Sequence, residues 1–448
     1  MRVAIVGTGF RGLSLGYYIK KFNPHYKITF IEQSQRIGGW IDSETTAYGI
    51  AEKAARTIRS SGEGAWNIAE ICSDIKIDNR VITVSKLSES GKNRAIIVNG
   101  KVQMLPNGIS SLLKPQYLKE ILRFISRRRH ILNHDVSVEE FFLSNFGPTF
   151  ANLSSAMCHG IFASNNAEMS VLNHFGFIKN ALEMGNGNLL LGMYRTKAFK
   201  PLKVLELWER IQKSAVWGFD DGMNVLTDGL AKHLSNSEWQ MNTKIKSAKL
   251  RSKVVELDGK PYDQVYWTCA MDKSLFGKDS PVAPQQSLYV VNLFYPDHLK
   301  YRSAFGILNT KSEMKANPNR GDLLGIIFDS EIRKRPGYSQ FTVMLGGYQF
   351  RKYTDDEAMS IAHQHVNELV FNGAATSPVY GVCTLQNNCI PYYPIASYNN
   401  ILERRRDLES LYLNKIKFIS QDFAGVGMTE CARIAKLEAI AISPDVTE

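Results

Sequence analysis

The chain has only six cysteines, at 72, 158, 269, 383, 389 and 431, and none of them form a Cys-x-x-Cys pair. Structural metal sites recruit thiolates at close, regular spacing, so the pattern excludes them and no metal ligand is assigned. Scattered thiols read instead as buried residues of a reducing compartment. No run of about eighteen apolar residues exists, which excludes an ordinary transmembrane helix. A signal peptide or cleavable presequence is not expected either, because Arg2 leads straight into a strand pattern. Internal repeats and low-complexity linkers are missing. So are zinc-finger and RNP patterns, and the net charge of +11 is therefore not read as nucleic-acid binding. An anionic substrate or an acidic bilayer face suits that charge better.

What remains is an ordinary folded composition, 44% hydrophobic and 22% charged over 448 residues. At roughly 100–200 residues per domain this predicts two or three units.

The N-terminus carries the strongest local signal. Arg2-Val-Ala-Ile-Val6 is a β-branched run, followed by Gly7-Thr-Gly9-Phe10-Arg11-Gly12 and a helical stretch from Leu13 to Phe22. A second apolar run, Lys27–Ile31, ends on Glu32. A glycine turn between strand and helix, with an acid about twenty residues on, is the dinucleotide fingerprint. Gly7 permits the tight turn, Gly9 lets a pyrophosphate approach the main chain, and Gly12 packs the helix on the strand. The phosphates then face unpaired N–H groups at the helix start. Glu32 accepts hydrogen bonds from both ribose hydroxyls and repels a 2′-phosphate, which disfavours NADP. Next comes Gln33-Ser-Gln-Arg36-Ile-Gly38-Gly39-Trp40. An arginine and a glycine pair at this point resemble the extended FAD signature of amine-oxidase-like flavoproteins. In that family the arginine lies near the cofactor phosphates and the glycine pair admits the chain close to the flavin.

Further along, Gly62–Ile77 reads as a helix, and Arg94–Val98 with Lys101–Leu105 as paired strands around Asn99-Gly100. Helical spacing dominates from 107 to about 214, with Tyr117, Leu118, Ile121, Leu122 and Ile125 on one face and Arg123, Arg127, Arg128 and Arg129 on its flank. This middle reads either as an ordinary inserted helical domain or as a monotopic surface lying on anionic headgroups. Strands are predicted at Ala248–Leu257, Gln264–Cys269, Leu288–Phe294, Leu323–Phe328 and Gln340–Leu345, and a helix at Asp355–Val370.

Taken together, the blocks resemble the protoporphyrinogen oxidase family, oxygen-dependent and FAD-containing, and its mitochondrial form above all. The blocks are Gly38-Gly39-Trp40-Ile41, Glu52–Arg59, Leu105-Pro106-x-Gly108 and Cys158-His-Gly160-Ile-Phe162-Ala163, then Val290–Leu293, Phe305-Gly306-x-Leu308 and Leu324–Ser330. Val343–Gly347, Ile390-Pro391-x-Tyr393 and Gly425-Val426-x-x-x-Glu430-Cys431 complete them in family order. The departures are Ala54-Ala55 for a usual Gly-Pro, His159 for a common arginine, and Ser420-Gln421-Asp422 for small, glycine-containing residues. Asp422 is expected to lie unfavourably near a cofactor anion.

The resemblance implies an α/β (α+β overall) architecture with three units. They are a Rossmann-like FAD-binding domain from 1–83, 215–275 and 408–448, a mixed-sheet substrate domain from 84–106 and 276–407, and an inserted helical membrane-binding domain over 107–214. It implies oxidation of protoporphyrinogen IX to protoporphyrin IX by O2 with release of H2O2, the flavin carrying the chemistry and no catalytic side chain assigned. It also implies cofactor contacts from Gly7, Gly9, Phe10, Arg11, Gly12, Glu32, Gln33, Arg36, Gly39, Trp40, Ile245, Gly425, Val426 and Gly427. The substrate would meet Phe305, Leu308, Ile327, Met344 and Gly160, with Arg94 taking a propionate. For the apolar positions the competing reading is core packing, and for Arg94 a solvated charge. The resemblance further implies a homodimer, ferrochelatase as a partner, an anionic membrane surface and a peripheral or monotopic place on the mitochondrial inner membrane. Competing functions are an amine oxidase or desaturase of the same superfamily, or a catalytically degenerate scaffold that binds FAD or porphyrin.

Overall fold

The computed structural model describes all residues except 108–113, 127–133, 197–198, 202, 278–281, 376, 424 and 444–448. Gly108 and the basic group Arg127, Arg128 and Arg129 lie outside the described residues.

Five parallel strands form the first sheet, in the order Glu238–Gln240, Lys27–Ile31, Arg2–Val6, Gln264–Trp267 and Ile416–Phe418. Val3, Ala4, Ile5, Phe30 and Val265 are fully buried, as strands covered on both faces must be. Three remote stretches of chain therefore meet in one sheet. On one face the helices Phe10–Phe22, Glu63–Asp74 and Met428–Ala441 share a core. The last helix packs closely because it offers Ala432, Ala435 and Ala439. On the other face lies a small antiparallel sheet, Ala248–Arg251, Val254–Leu257 and Lys260–Tyr262. The single strand expected over Ala248–Leu257 is thus two strands, because Ser252 turns the chain with φ +56°.

The second large sheet has seven strands, in the order Tyr380–Pro391, Gln285–Pro296, Tyr338–Gly346, Leu323–Ile327, Gly306–Leu308, Ala95–Val98 and Lys101–Met104. All neighbours run antiparallel except Gly306–Leu308 with Ala95–Val98, so the sheet is mixed. The helix Asp355–Leu369 covers one face with Ala358, Ala362 and Val366. It starts at a capping box between Thr354 and Glu357. A third sheet, Ile58–Arg59, Ser214–Phe219 and Val81–Ser85, stands between the two.

Residues 115–212 supply seven helices among the described residues; those up to Arg195 surround a core of Phe124, Val138, Phe141, Cys158, Met169 and Phe175, while Leu207, Trp208 and Ile211 of the seventh join the core of the first sheet. In Pro115–Ser126 the expected apolar face is split. Tyr117 and Phe124 are buried, while Leu122 is 58% and Ile125 57% exposed.

Two buried histidines give the fold a pH dependence. Burial pushes His159 and His365 down from 6.5 to about 4. Each is neutral in the fold and protonates more readily unfolded, so its contribution is complete above about pH 6.5 and is lost as the pH falls towards 4. The loss is about 3 kcal/mol per residue across that window. Neither ring nitrogen of His365 has a hydrogen-bond partner among the described residues. His365→Leu should therefore flatten the fall of the urea midpoint between pH 6.5 and 4. Identical slopes in variant and parent would sink this account.

Candidate functional site

The first loop is shaped for an anion. Gly7 turns with φ +101°, and the helix it feeds has no side-chain cap at Gly9. The first N–H groups of that helix are left for a ligand. A second uncapped helix start, at Gly427, lies close by. Arg11 closes the distance: its guanidinium donates to the carbonyls of Ile419 and Gly425. Trp40 Nε1 also donates to Gln421 Oε1 at 3.3 Å, so the Gly-Gly loop and the C-terminal loop border one cradle. Trp40 and Val426 remain 43% and 38% exposed on its rim.

The glycine pair is required by contact. A Cβ on Gly39 would stand 2.9 Å from the Cα of Gly9, and Gly39 has φ +59°. Nothing lies within 4 Å of a Cβ on Gly427. Arg36 donates to the carbonyls of Ile37, Gly39 and Ile41, so its observed work is to fasten this loop. Glu32 is oriented at the end of its strand. Its carboxylate accepts from Thr8 N and Oγ1 at 2.9 Å each and from Ser34 N at 3.0 Å. Gln33 beside it is exposed, whereas Phe10 is buried in the core. Ile245 is buried next to Ile31 at the far end, where Thr243 N donates to Glu32 O. An open, glycine-lined cradle between two uncapped helix starts, with an acid at one end, fits FAD.

Asp422 belongs to the C-terminal loop that borders this cradle. Its carboxylate is fully buried and accepts from Met271 N at 2.9 Å, Ser420 Oγ at 3.1 Å and Gln285 Nε2 at 3.3 Å. Burial raises its pKa, but three donors satisfy it. This acid braces the C-terminal loop.

The residues assigned to substrate gather on the face of the seven-stranded sheet opposite the helix Asp355–Leu369. Leu308, Gly325, Met344 and Val290 form one lateral row, and Gly306, Ile327, Thr342 and Asn292 the next. Phe305 and Ile327 pack beside Val84, Val216 and Ile332. Gly160, on the helix Pro148–Phe162, abuts the first row, since a Cβ there would lie 2.4 Å from Leu308 Cδ2. Arg94 sits 4.5 Å over the Phe305 ring and is half-buried, and burial lowers its pKa. Its Nη1 donates to the carbonyls of Ser90 and Asn93 at 2.9 Å. Nε and Nη2 have no partner among the described residues.

Sequence reasoning missed the brace between wall and cradle. Arg333 pairs with Glu52 at 2.7 Å and Arg56 with Asp329 at 3.3 Å, all four buried. Thr342 Oγ1 lies 2.7 Å from Asp329, and Asn292 Nδ2 donates to Glu52 O at 3.1 Å. Charged residues next to apolar runs were the available signal.

The sequence model of the family described as flavin containing amine oxidoreductase matches residues 12–439, and the chain belongs to that family. Protoporphyrinogen oxidase of Schizosaccharomyces pombe is 27% identical over 96% of this chain and 96% of its own. Protoporphyrinogen oxidase of Homo sapiens is 25% identical over 98% of each chain. Among solved structures, cyclohexylamine oxidase from Brevibacterium oxydans superposes with a TM-score of 0.69 at 14% identity, covering 99% of this chain and 98% of its own. The resemblance to protoporphyrinogen oxidases, the fold class and the FAD cofactor read from the sequence are borne out. The chain is an FAD-dependent oxidoreductase.

Cofactor loading should depend on two residues of the cradle. Gly9→Val places a branched side chain against Gly39 and should give colourless protein. Glu32→Ala removes charge-assisted bonds to ribose worth about 1.5–3 kcal/mol each, and should lower FAD occupancy at limiting cofactor. Full occupancy in both, measured at 450 nm, would refute the assignment.

Proposed function

We propose that the chain oxidises protoporphyrinogen IX to protoporphyrin IX, passing electrons to O2 and releasing H2O2. The carrying observation is the neutrality of the wall. The five strands Gln285–Pro296, Gly306–Leu308, Leu323–Ile327, Tyr338–Gly346 and Tyr380–Pro391 contain no charged residue at all. A neutral, mostly aliphatic wall suits a large apolar ring. It disfavours an amine substrate, whose oxidation would call for a lysine–water relay and an aromatic cage. The names of the relatives support the same reading.

Held by the Gly7–Gly12 loop, Glu32 and the Gly425–Gly427 loop, FAD would supply the hydride-accepting and O2-reducing chemistry. The residues of this chain do the placing. Leu308, Met344 and Ile327 give the ring an apolar bed, and Gly160 lets the neighbouring helix close on it. Arg94 is a cation at this patch with no acidic partner among the described residues. With Nη1 held by backbone carbonyls, its remaining Nε–H and Nη2–H offer a fork to one propionate. The reading also includes a homodimer, a ferrochelatase partner and residence on the mitochondrial inner membrane, which fractionation and cross-linking test.

Membrane attachment in this reading is peripheral. No helix among the described residues is long and apolar enough to cross a bilayer. Exposed side chains cluster instead on the helical unit: Leu122, Ile125, Phe177, Leu191, Met193 and Tyr194. Each basic residue near an anionic surface adds about 1 kcal/mol. The protein should sediment with anionic vesicles and be partly released by salt. Equal indifference to anionic and neutral vesicles would remove this part.

Kinetics test the Arg94 assignment. Arg94→Lys keeps the charge and loses the fork, so it should weaken turnover mildly, and Arg94→Ala by roughly ten- to a hundred-fold in kcat/KM. The flavin spectrum should be unchanged in both. Unaltered kcat/KM in Arg94→Ala would mean that the guanidinium only caps backbone carbonyls.

A further inference from the structure

In a regular strand, residues three apart point to opposite faces. The strand Leu323–Ile327 breaks this rule. Leu323 and Ile326 both lie in the core beneath the helix Asp355–Leu369. Leu324 and Ile327 both pack on the other side, Leu324 with Met344 and Leu288, and Ile327 with Phe305. The cause is a bulge: Leu323 pairs with Leu345, yet Gly325 pairs with Met344. One extra residue inverts the parity of all that follows.

The bulge is held by side chains from elsewhere. The carbonyl of Leu323 accepts from His159 Nε2 at 3.0 Å and from Asn309 Nδ2 at 3.0 Å. Asn309 N donates to the next carbonyl, Leu324 O, at 3.1 Å. Both side chains are buried, His159 at 2% and Asn309 at 0% exposure. A carbonyl only accepts, so Nε2 carries the imidazole proton, and Nδ1 is the ring nitrogen without a partner among the described residues. His159 precedes Gly160, which abuts Leu308 of the wall.

We propose that His159 is a positioning residue of the substrate wall: with Asn309 it locks the bulge at Leu323–Gly325 and so presents Ile327, instead of Ile326, to the substrate. This rests on the reading of that face as the porphyrinogen site. The lock is a hydrogen-bond donor, so the substitutions must separate donor from shape. In the full FAD-loaded chain, His159→Phe keeps a ring and loses the donor, whereas His159→Gln keeps a donor. His159→Phe should raise KM for protoporphyrinogen about tenfold, the loss of one net hydrogen bond, with kcat nearly kept and FAD content unchanged. His159→Gln should recover most of it. Amide exchange over 323–327, measured without substrate, should quicken in His159→Phe and not in His159→Gln.

Unchanged exchange in His159→Phe overturns the lock. Quickened exchange with an unchanged KM overturns the positioning role, as does equal damage in the two variants. Should His159→Phe fail to load FAD, Asn309→Ala removes the second donor and is judged by the same two measurements. A parent protein that leaves protoporphyrinogen unoxidised would defeat the functional reading, while the exchange data would still decide the lock.

Discussion

Two buried guanidinium–carboxylate pairs tie the segment after the glycine-pair loop to the seven-stranded sheet. Glu52 and Arg56 belong to the segment that leaves the flavin motif, and Asp329 and Arg333 follow the wall strand Leu323–Ile327. Burying four charges is costly, and such pairs hold only when their remaining donors and acceptors are met. Here most are. Glu52 also accepts from Ser43 Oγ and Met223 N, and Arg333 Nε donates to Phe219 O. Burial raises the pKa of Glu52 while Arg333 opposes the rise. An apolar contact would tolerate sliding of one sheet on the other. A network of directed bonds between buried ions does not, and it therefore defines one separation.

The same logic explains a charge inside the dinucleotide loop. Arg11 is 6% exposed, and it bonds carbonyls more than four hundred positions away. A domain built from chain ends has no covalent reason to keep those ends together. Arg11 supplies a physical one, drawing Gly425 towards Gly9 so that two uncapped helix starts border a single cradle. Asp422 does similar work from the other side by tying the C-terminal loop to Met271 and Gln285.

The parallel sheet and its glycine loop were legible in the sequence because their signals are local: a β-branched run, a turn needing φ > 0, an acid at a strand end. The long helix at Asp355–Leu369 was legible for the same reason, through its period and its capping box. Other features depend on partners far along the chain and leave no local trace. Tyr380–Pro391, twelve residues at a sheet edge, mixes glycine, asparagine and cysteine and shows no clean alternation. The strand Ser214–Phe219 hides behind a helix that ends at Gln212. In Pro115–Ser126 the period identified a helix but could not say which apolar residues meet the core and which face outward. Candidate wall residues were named through family likeness, and strand alternation alone would have misassigned them. It would have placed Leu323 and Ile326 on opposite faces, where the bulge places them together.

Arg94 shows how a site can be rigid and still unfinished. Three backbone carbonyls share its Nη1, a ring lies beneath its plane, and partial burial strips water from it. Each contact removes freedom that a flexible cation would otherwise lose on binding. None of them neutralises its charge, since backbone carbonyls carry only partial charge and Arg94 has no ion pair among the described residues. The neighbouring strands, being uncharged, offer no internal counterion to compete. A guanidinium that is fixed in direction, poorly hydrated and uncompensated gains most from an anion arriving with the substrate. In the proposed function an amphipathic acid would then bind in one orientation: apolar body against Leu308, Met344 and Ile327, carboxylate on Arg94.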